Sequence, residues 1–526
     1  MIQSYKKKPQ LQETYDTIII GSGMGGLATA AILSKQGKKV LVLERHYTAG
    51  GFTHIFKRKG YEWDVGIHYI GEMQRENSLL RKLFEYITDG ELKWADMGEV
   101  YDRIVIGNQH YDLVKGVKNF KEQMISYFPK EEQAIHSYVD LVFKAVKTSK
   151  NYYISKAMPP FINALVGRFM KRSLYKYSDK TTYEVLRSLT NNETLIKVLT
   201  GQFGDYGLPP KQSSFYMHAS LVRHYLDGGN FPIGGSSQIV KTIDPIIESS
   251  GGTILISAEV EEVIVENNTA IGVRMKDGKF FGSKNVVSNA GFITTYSKLL
   301  KPVVVEKHQL AAQLQKVKPS VAHISLYIGL EGSPDELQIP KTNYWVYPAD
   351  ADHDTCVQRY LDDITQPFPV VYISFPSAKD PDWSHRYSNK STIDIITLIS
   401  FDVFEKWSDK PWKKRGEAYE TFKEEIAQRL LSELYKQQPQ LKGKVNYYEL
   451  STPLTTQHFV NYAKGEIYGL DHTPSRFRQP FLKPRTPIKN FYMTGQDIAT
   501  AGIGGALFSG VLTTMAITGK NILKKI

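Results

Sequence analysis

The chain of 526 residues contains a single cysteine, Cys356. One thiol builds neither an internal disulfide nor a cysteine cage for zinc or iron–sulfur, so a reducing compartment is the default expectation. Long apolar runs are equally scarce. The first ten residues carry Lys6, Lys7 and Lys8 but no hydrophobic segment of the kind a secretory signal needs. The longest uncharged stretch, 498–519, is broken by Gly502, Gly504, Gly505, Gly510, Thr513, Thr514 and Thr518. That polarity predicts a buried glycine-rich helix close to a ligand rather than a bilayer span. His-Glu-x-x-His, Gly-x-Ser-x-Gly and Walker patterns are missing, so metal-hydrolase, nucleophile-elbow and P-loop readings lose support and no metal site is expected. Acids are outnumbered over the whole chain: Lys and Arg number 66 against 54 Asp and Glu, a formal charge of +12. A basic chain suits an acidic partner, whether nucleic acid, anionic lipid or a phosphate-bearing cofactor.

What is present is enough for a large folded core. Hydrophobic residues make up 41% and charged residues 23%, and the length allows three or four domains, or fewer with long insertions. Aromatics reach 12%, with 32 Tyr against 24 Phe, a composition that suits apolar or flat ligands.

The first chemical signal follows a short apolar run at 15–20, which reads as a buried strand. Next come Gly21-Ser22-Gly23-Met24-Gly25-Gly26, a helical pattern over 27–36, Gly37 and a second buried strand at 39–43. Gly21-x-Gly23-x-x-Gly26 thus sits at a strand–turn–helix junction. There the glycines allow a tight turn, close approach to a pyrophosphate and close helix–strand packing, while the helix N-terminus faces the anion. Glu44 ends the second strand, where an acid accepts hydrogen bonds from an adenosine ribose. A nicotinamide site needs only this unit. Here Gly50-Gly51 and then Asp64-Val65-Gly66-Ile67-His68 follow, backbone that approaches the longer FAD molecule. Near the other end, a strand at 490–494 runs into Gly495-Gln496-Asp497, then Gly502-Ile503-Gly504-Gly505 and a helix whose N-terminus would face the flavin N1/O2 edge. A third block, from Phe231 through the hairpin at Asp277-Gly278 to Gly291, returns the chain to the same sheet.

The segments 21–27, Glu44-Arg45-His46 with Ala49-Gly50-Gly51, Asp64-Val65-Gly66-Ile67-His68-Tyr69-Ile70-Gly71, Gly465-Glu466-Ile467-Tyr468-Gly469-Leu470-Asp471-His472 and Tyr492-Met493-Thr494-Gly495-Gln496-Asp497 resemble the phytoene desaturase and carotenoid isomerase family of amine-oxidase-like flavoproteins. The likeness is strong over the first 75 or so residues, good over about 231–291 and 460–523, and weak between. It implies an α/β architecture: a Rossmann-like FAD-binding domain of the glutathione-reductase or amine-oxidase type, discontinuous over 1–80, 231–300 and 486–526. An α+β substrate or cap domain would span 81–230 and 301–485. Carried over by position, the FAD-binding set is Gly21, Gly23, Met24, Gly25, Gly26, Glu44, Arg45, Gly50, Gly51, Asp64, Val260, Gly495, Asp497, Ile503, Gly504 and Gly505. The implied activity is that of an FAD-dependent oxidoreductase on a C=C bond of a lipophilic polyene, a retinoid or carotenoid. Saturation is favoured over desaturation or cis–trans isomerisation, and an amine-oxidase-like reaction is a further alternative. NAD(P)H is an open choice of electron donor, although no second strand–GxGxxG–helix unit is visible. His68, Tyr468 and His472 are the candidates to meet the substrate, each weighed against a purely structural role.

Between 144 and 176 stand Lys144, Lys147, Lys150, Lys156, Arg168, Lys171, Arg172 and Lys176, with no acid. Phe161, Ile162, Leu165, Val166 and Phe169 fall on one helical face after Pro159-Pro160. An apolar stripe flanked by basic residues is the pattern of a helix lying in a membrane interface, and a cap helix packed on the core is the competing expectation. No nucleic-acid-binding motif accompanies the basic run, so no nucleic-acid partner is expected. The expected partner is a lipophilic small molecule, and the expected location is the cytoplasm with peripheral contact on the inner face of a membrane.

Overall fold

A computed structural model describes residues 2–9 and 11–526. The glycine-loop unit folds as β1 (Thr14–Ile20), α1 (Met24–Ser34) and β2 (Val40–Leu43). β1 is buried at Tyr15 and along 17–20, and β2 is buried throughout, as suits parallel strands covered on both faces. The chain returns to this sheet as β3 (Thr253–Ile256), β4 (Val260–Glu266), β5 (Thr269–Met275) and β6 (Phe280–Ser288), and finally as β7 (Phe491–Met493). The order is β3-β2-β1-β6-β5-β4, with a two-residue strand at Gln3–Ser4 beyond β3 and with β7 pairing β6. β3, β2, β1, β6 and β7 run parallel, and β4, β5 and β6 form an antiparallel meander. The carboxyl ends of β1, β2 and β7 therefore open toward one side of the sheet, where ligands of open α/β sheets bind.

The last long helix, α2 (Gly502–Thr518), is the glycine-rich segment anticipated from the sequence. It crosses α1 at close range: a Cβ on Gly510 would stand 2.7 Å from the Ala28 Cβ and 2.9 Å from the Gly25 carbonyl oxygen. Both helices are apolar nearly all round, because each is enclosed by other elements. No helix among the described residues is long and apolar enough to cross a membrane.

The remainder builds a second, seven-stranded sheet from Val445–Ser451, Ala322–Glu331, Lys390–Ile399, Val371–Ser374, Asn343–Tyr347, Val100–Ile106 and Gln109–Val114, in that order. All its pairings are antiparallel except Asn343–Tyr347 with Val100–Ile106. Helices between 117 and 225 cover it and share one core with it, including Ile104, Tyr138, Tyr206, Phe215 and Trp345. A three-stranded sheet of Gly229–Pro232 between Ile70–Gly71 and Trp94–Asp96 joins the two parts.

The basic stretch divides in two. Tyr152 and Tyr153 are core residues. Lys156, expected on a solvated face, is buried and donates to the Ile498 carbonyl at 2.9 Å, with burial holding its pKa well below the usual lysine value. The helix Pro160–Ser178 instead turns Phe161 (75% exposed), Leu165 (71%) and Phe169 (81%) outward, with Ile162 and Val166 beside them, so the cap-packing expectation does not hold for this face.

The α1–α2 crossing makes a signed prediction. Alanine in place of a helical glycine ordinarily stabilises by about 0.5–1 kcal/mol. At Gly510 the added carbon meets backbone, so Gly510→Ala should instead destabilise by about 1–3 kcal/mol in urea unfolding. An unchanged or raised midpoint would contradict the crossing.

Candidate active site

The glycine turns meet backbone to backbone. A Cβ on Gly25 would come 2.7 Å from the Cα and nitrogen of Gly495, and one on Gly51 would come 2.8 Å from the Gly23 Cα. No residue but glycine lets these three segments approach so closely. Asn289, at the end of β6, stands at their junction. Its Nδ2 lies 2.8 Å from where a Gly23 Cβ would be, and its Oδ1 lies 2.7 Å from that of Gly495. The position of Asn289 against the first and last glycine turns becomes visible only once β1, β6 and β7 are side by side.

Glu44 ties the loop together. One carboxylate oxygen accepts from the Ser22 N–H (2.9 Å) and Ser22 hydroxyl (2.7 Å), and the other accepts from the His46 N–H (2.8 Å). The Ser22 hydroxyl in turn accepts from the Gly50 N–H at 2.9 Å, which couples the first glycine loop to the second. On the far side, Asp497 accepts from the N–H groups of Phe292 (2.6 Å) and Leu470 (2.9 Å). Two buried cations hold the same turn: Arg476 donates to the carbonyls of Leu470, Gln496 and Asp497, and Lys156 to that of Ile498. Arg476 was not picked out from the sequence and Lys156 only as part of the basic run, because a basic residue reads as surface by default.

These turns line a cavity of about 830 Å³. Gly21, Gly23, Met24, Gly25, Glu44, Arg45, Gly50, Gly51, Val260, Gly495, Asp497, Ile503, Gly504 and Gly505 all lie on its wall, as do His68 and Tyr468. Gly26 stands just behind, where a Cβ would run into the Gly21 carbonyl. α1 and α2 both begin at this wall, and neither has a side-chain cap, so their first N–H groups and positive dipole ends are free to face an anion or a reduced flavin. An adenosine acid, side-chain-free backbone and two open helix ends form a donor set that fits FAD.

Two expected site residues lie elsewhere. Asp64 is absent from the cavity wall; its Oδ1 accepts from the Ser236 N–H at 2.7 Å, and burial lifts its pKa to about 6. Its strand, Tyr61–Asp64, turns it toward the 234–236 loop rather than the cavity. His472 is also off the wall and fully buried, and its Nε2 accepts from the Ala501 N–H at 2.9 Å. Burial, with Arg476 adding to it, holds His472 neutral, so it is a brace for the start of α2.

Past the glycine turns the cavity becomes aromatic. Tyr69 stacks on Tyr225 (centroids 4.2 Å apart, 9° between planes), and Trp345, Tyr372, Met217 and Tyr468 share the chamber. His68 lies 3.4 Å from Asp394 through Nδ1, and burial pushes its pKa down to about 3, so the ring is neutral. Behind it the buried Lys379 donates to the His68 carbonyl (3.0 Å), the Ser374 hydroxyl (2.7 Å) and Asn343, and burial lowers its pKa to about 7.

The role given to His472 can be checked directly. His472→Ala leaves the Ala501 N–H without its buried acceptor and should cost about 1–3 kcal/mol of stability in chemical denaturation. Wild-type stability would contradict a bracing role.

Comparison with known proteins agrees with this geometry. The family model of flavin containing amine oxidoreductases matches residues 24–518. The chain is 38% identical to human all-trans-retinol 13,14-reductase over 98% of its own length and 87% of the relative's. It is 26% identical to prolycopene isomerase of Arabidopsis thaliana, over 95% and 82% of the two chains. Among solved structures, cyclohexylamine oxidase from Brevibacterium oxydans superposes with a TM-score of 0.59 at 16% identity, covering 96% of this chain and 98% of that one. The chain therefore belongs to the flavin containing amine oxidoreductase family, in the branch that holds the all-trans-retinol 13,14-reductases, and is an FAD-dependent oxidoreductase.

Proposed function

We propose that this enzyme saturates a C=C bond of a lipophilic polyene, a retinoid before a carotenoid. The observation that carries the reading is the continuity of one cavity, whose wall runs from the glycine cradle to an aromatic group of Tyr69, Tyr225, Tyr372 and Trp345. Bound FAD, once reduced, supplies a hydride to one alkene carbon. The chain's residues do the rest. Gly21, Gly23 and Glu44 hold the adenosine and pyrophosphate end, and Gly495, Ile503 and Gly505 hold the other. The open N-terminus of α2 stabilises negative charge at that end without reorganising. Tyr69, Tyr225, Tyr372, Trp345 and Met217 exclude water and keep a flat conjugated chain in register with the flavin. In this reading the neutral His68 shapes the chamber next to the flavin, and Tyr468 closes it from the 465–472 segment.

The exposed face of Phe161, Ile162, Leu165, Val166 and Phe169, with Arg168 and Arg172 exposed on the same helix, supports a peripheral membrane contact. The Pro160–Ser178 helix packs against Ser149–Ala157, whose Lys150, Tyr153 and Ile154 line the cavity, so a substrate dissolved in lipid would have a short path inward.

Two measurements test these readings. Holoenzyme reduced anaerobically with dithionite and mixed with retinol should have its flavin reoxidised and yield a product two hydrogens heavier. An unchanged mass with altered double-bond geometry would point to isomerisation, and no reaction with retinol or carotenoid precursors would overturn the polyene reading. Separately, the Phe161→Ser/Phe169→Ser double variant should keep its flavin but lose co-sedimentation with vesicles containing anionic lipid; unchanged partitioning would discard the membrane contact.

A further inference from the structure

Saturation needs a proton as well as a hydride, and of the carboxyl groups on the cavity wall Asp205 is the one hydrogen-bonded to Tyr69 of the aromatic chamber. Asp205 lies between Gly204 and Tyr206 at the end of the Phe203–Asp205 turn, and it is part of the cavity wall. It is half-buried although both its neighbours are buried, so its accessible surface faces the chamber. Its Oδ2 is 3.1 Å from the Tyr69 hydroxyl, and that hydroxyl is 2.8 Å from Oδ2 of Asp102.

The phenol has one proton for two carboxyl groups. Both contacts are hydrogen bonds only if one carboxyl brings a proton of its own. Asp102, completely buried and off the cavity wall, also accepts from Asn343 Nδ2 (2.9 Å) and Gln202 Nε2 (2.6 Å), and Asn343 is itself held by Lys379. Three donors converge on Asp102 and favour its ionised form. Asp205 has only the Tyr69 hydroxyl. The proton therefore sits on Asp205, which donates to Tyr69, which donates to Asp102. Burial raises the pKa of both carboxyl groups, but at Asp102 the donors pull against it, whereas at Asp205 burial and then the charge of Asp102 push it well above the usual carboxylate range, in agreement with the bond count. Tyr225, Tyr372 and Tyr468 also face it, and none brings a positive charge.

We propose that Asp205 is the acid that protonates the substrate double bond, with Tyr69 and Asp102 behind it as the hydrogen-bonded pair that keeps it protonated. The proposal rests on the reductase reading above. The substrate π bond breaks as one carbon takes the hydride supplied by reduced FAD. The other carbon takes the Asp205 proton, the O–H bond breaks, and a carboxylate remains that accepts the Tyr69 hydroxyl until solvent restores the proton. His68 is the rival donor, but the acid behind it, Asp394, is off the wall and makes no hydrogen bond to the ring.

The test uses wild-type holoenzyme, reduced anaerobically and mixed with retinol in single turnover. If the wild-type flavin is not reoxidised, the reductase reading falls and this proposal with it. Given reoxidation, Asp205→Asn should slow it about 100-fold or more, the usual weight of a general acid, while retinol still binds. Asp205→Ala should regain rate in proportion to added formate, and it serves equally if the Asn variant loses its flavin. Infrared spectra of the oxidised holoenzyme without substrate should show a protonated carboxyl stretch that Asp205→Asn removes. A near wild-type rate in Asp205→Asn, a loss confined to retinol affinity, no response to formate, or no such band would each overturn it.

Discussion

Two peptide segments from opposite ends of the chain touch through bare backbone, Gly25 against Gly495, and the site depends on that contact. A side chain at either position would drive the first glycine loop away from the last strand. The same movement would separate the N-termini of α1 and α2, which now open on one cavity. Around this contact the structure spends strong interactions on holding turns rather than on covering surface: Asn289 wedged at three glycines, Glu44 bridging Ser22 and His46, Arg476 and Lys156 gripping the carbonyls of 496–498. A buried guanidinium such as that of Arg476 is stable only because it meets several acceptors, which makes it a good fastener for a loop that must not move.

The chamber beyond the cradle faces the opposite physical problem. A conjugated hydrocarbon needs a dry, flat-walled space, whereas adding hydrogen across it needs a proton. The aromatic wall answers the first need. The Asp205, Tyr69 and Asp102 line answers the second by placing Asp205 on the wall and Asp102 behind it. A buried polar network is costly when half satisfied, and here Asn343, Gln202 and Lys379 complete it from behind.

The sequence carried the cradle almost in full, because glycine spacing between apolar strands is a local code: the turns at 21–26, 50–51, 495–497 and 502–505 all reach the cavity wall or stand directly behind it. It carried the exposed stripe of the Pro160–Ser178 helix as one of two readings, since periodicity gives a face and not what covers it. Asp64 and His472 were misplaced for a related reason: their motifs are adjacent to the site in sequence, yet the strand pleat and the 472–501 hydrogen bond turn their side chains away from the cavity. Asp205 and Asp102 belong to no motif, and Tyr69 sits in one that gives it no role. Only the fold that brings Tyr69 between the two carboxyl groups makes them legible.

The claim beneath all of this is that both ends of the chain close on a single FAD. The direct measurement is titration of the flavin-free, folded protein with FAD, following flavin fluorescence and protein stability together. The account predicts saturation at one FAD per chain with a rise in unfolding temperature, and loss of both in Gly495→Val. A well-folded wild-type protein that leaves added FAD unbound would contradict it.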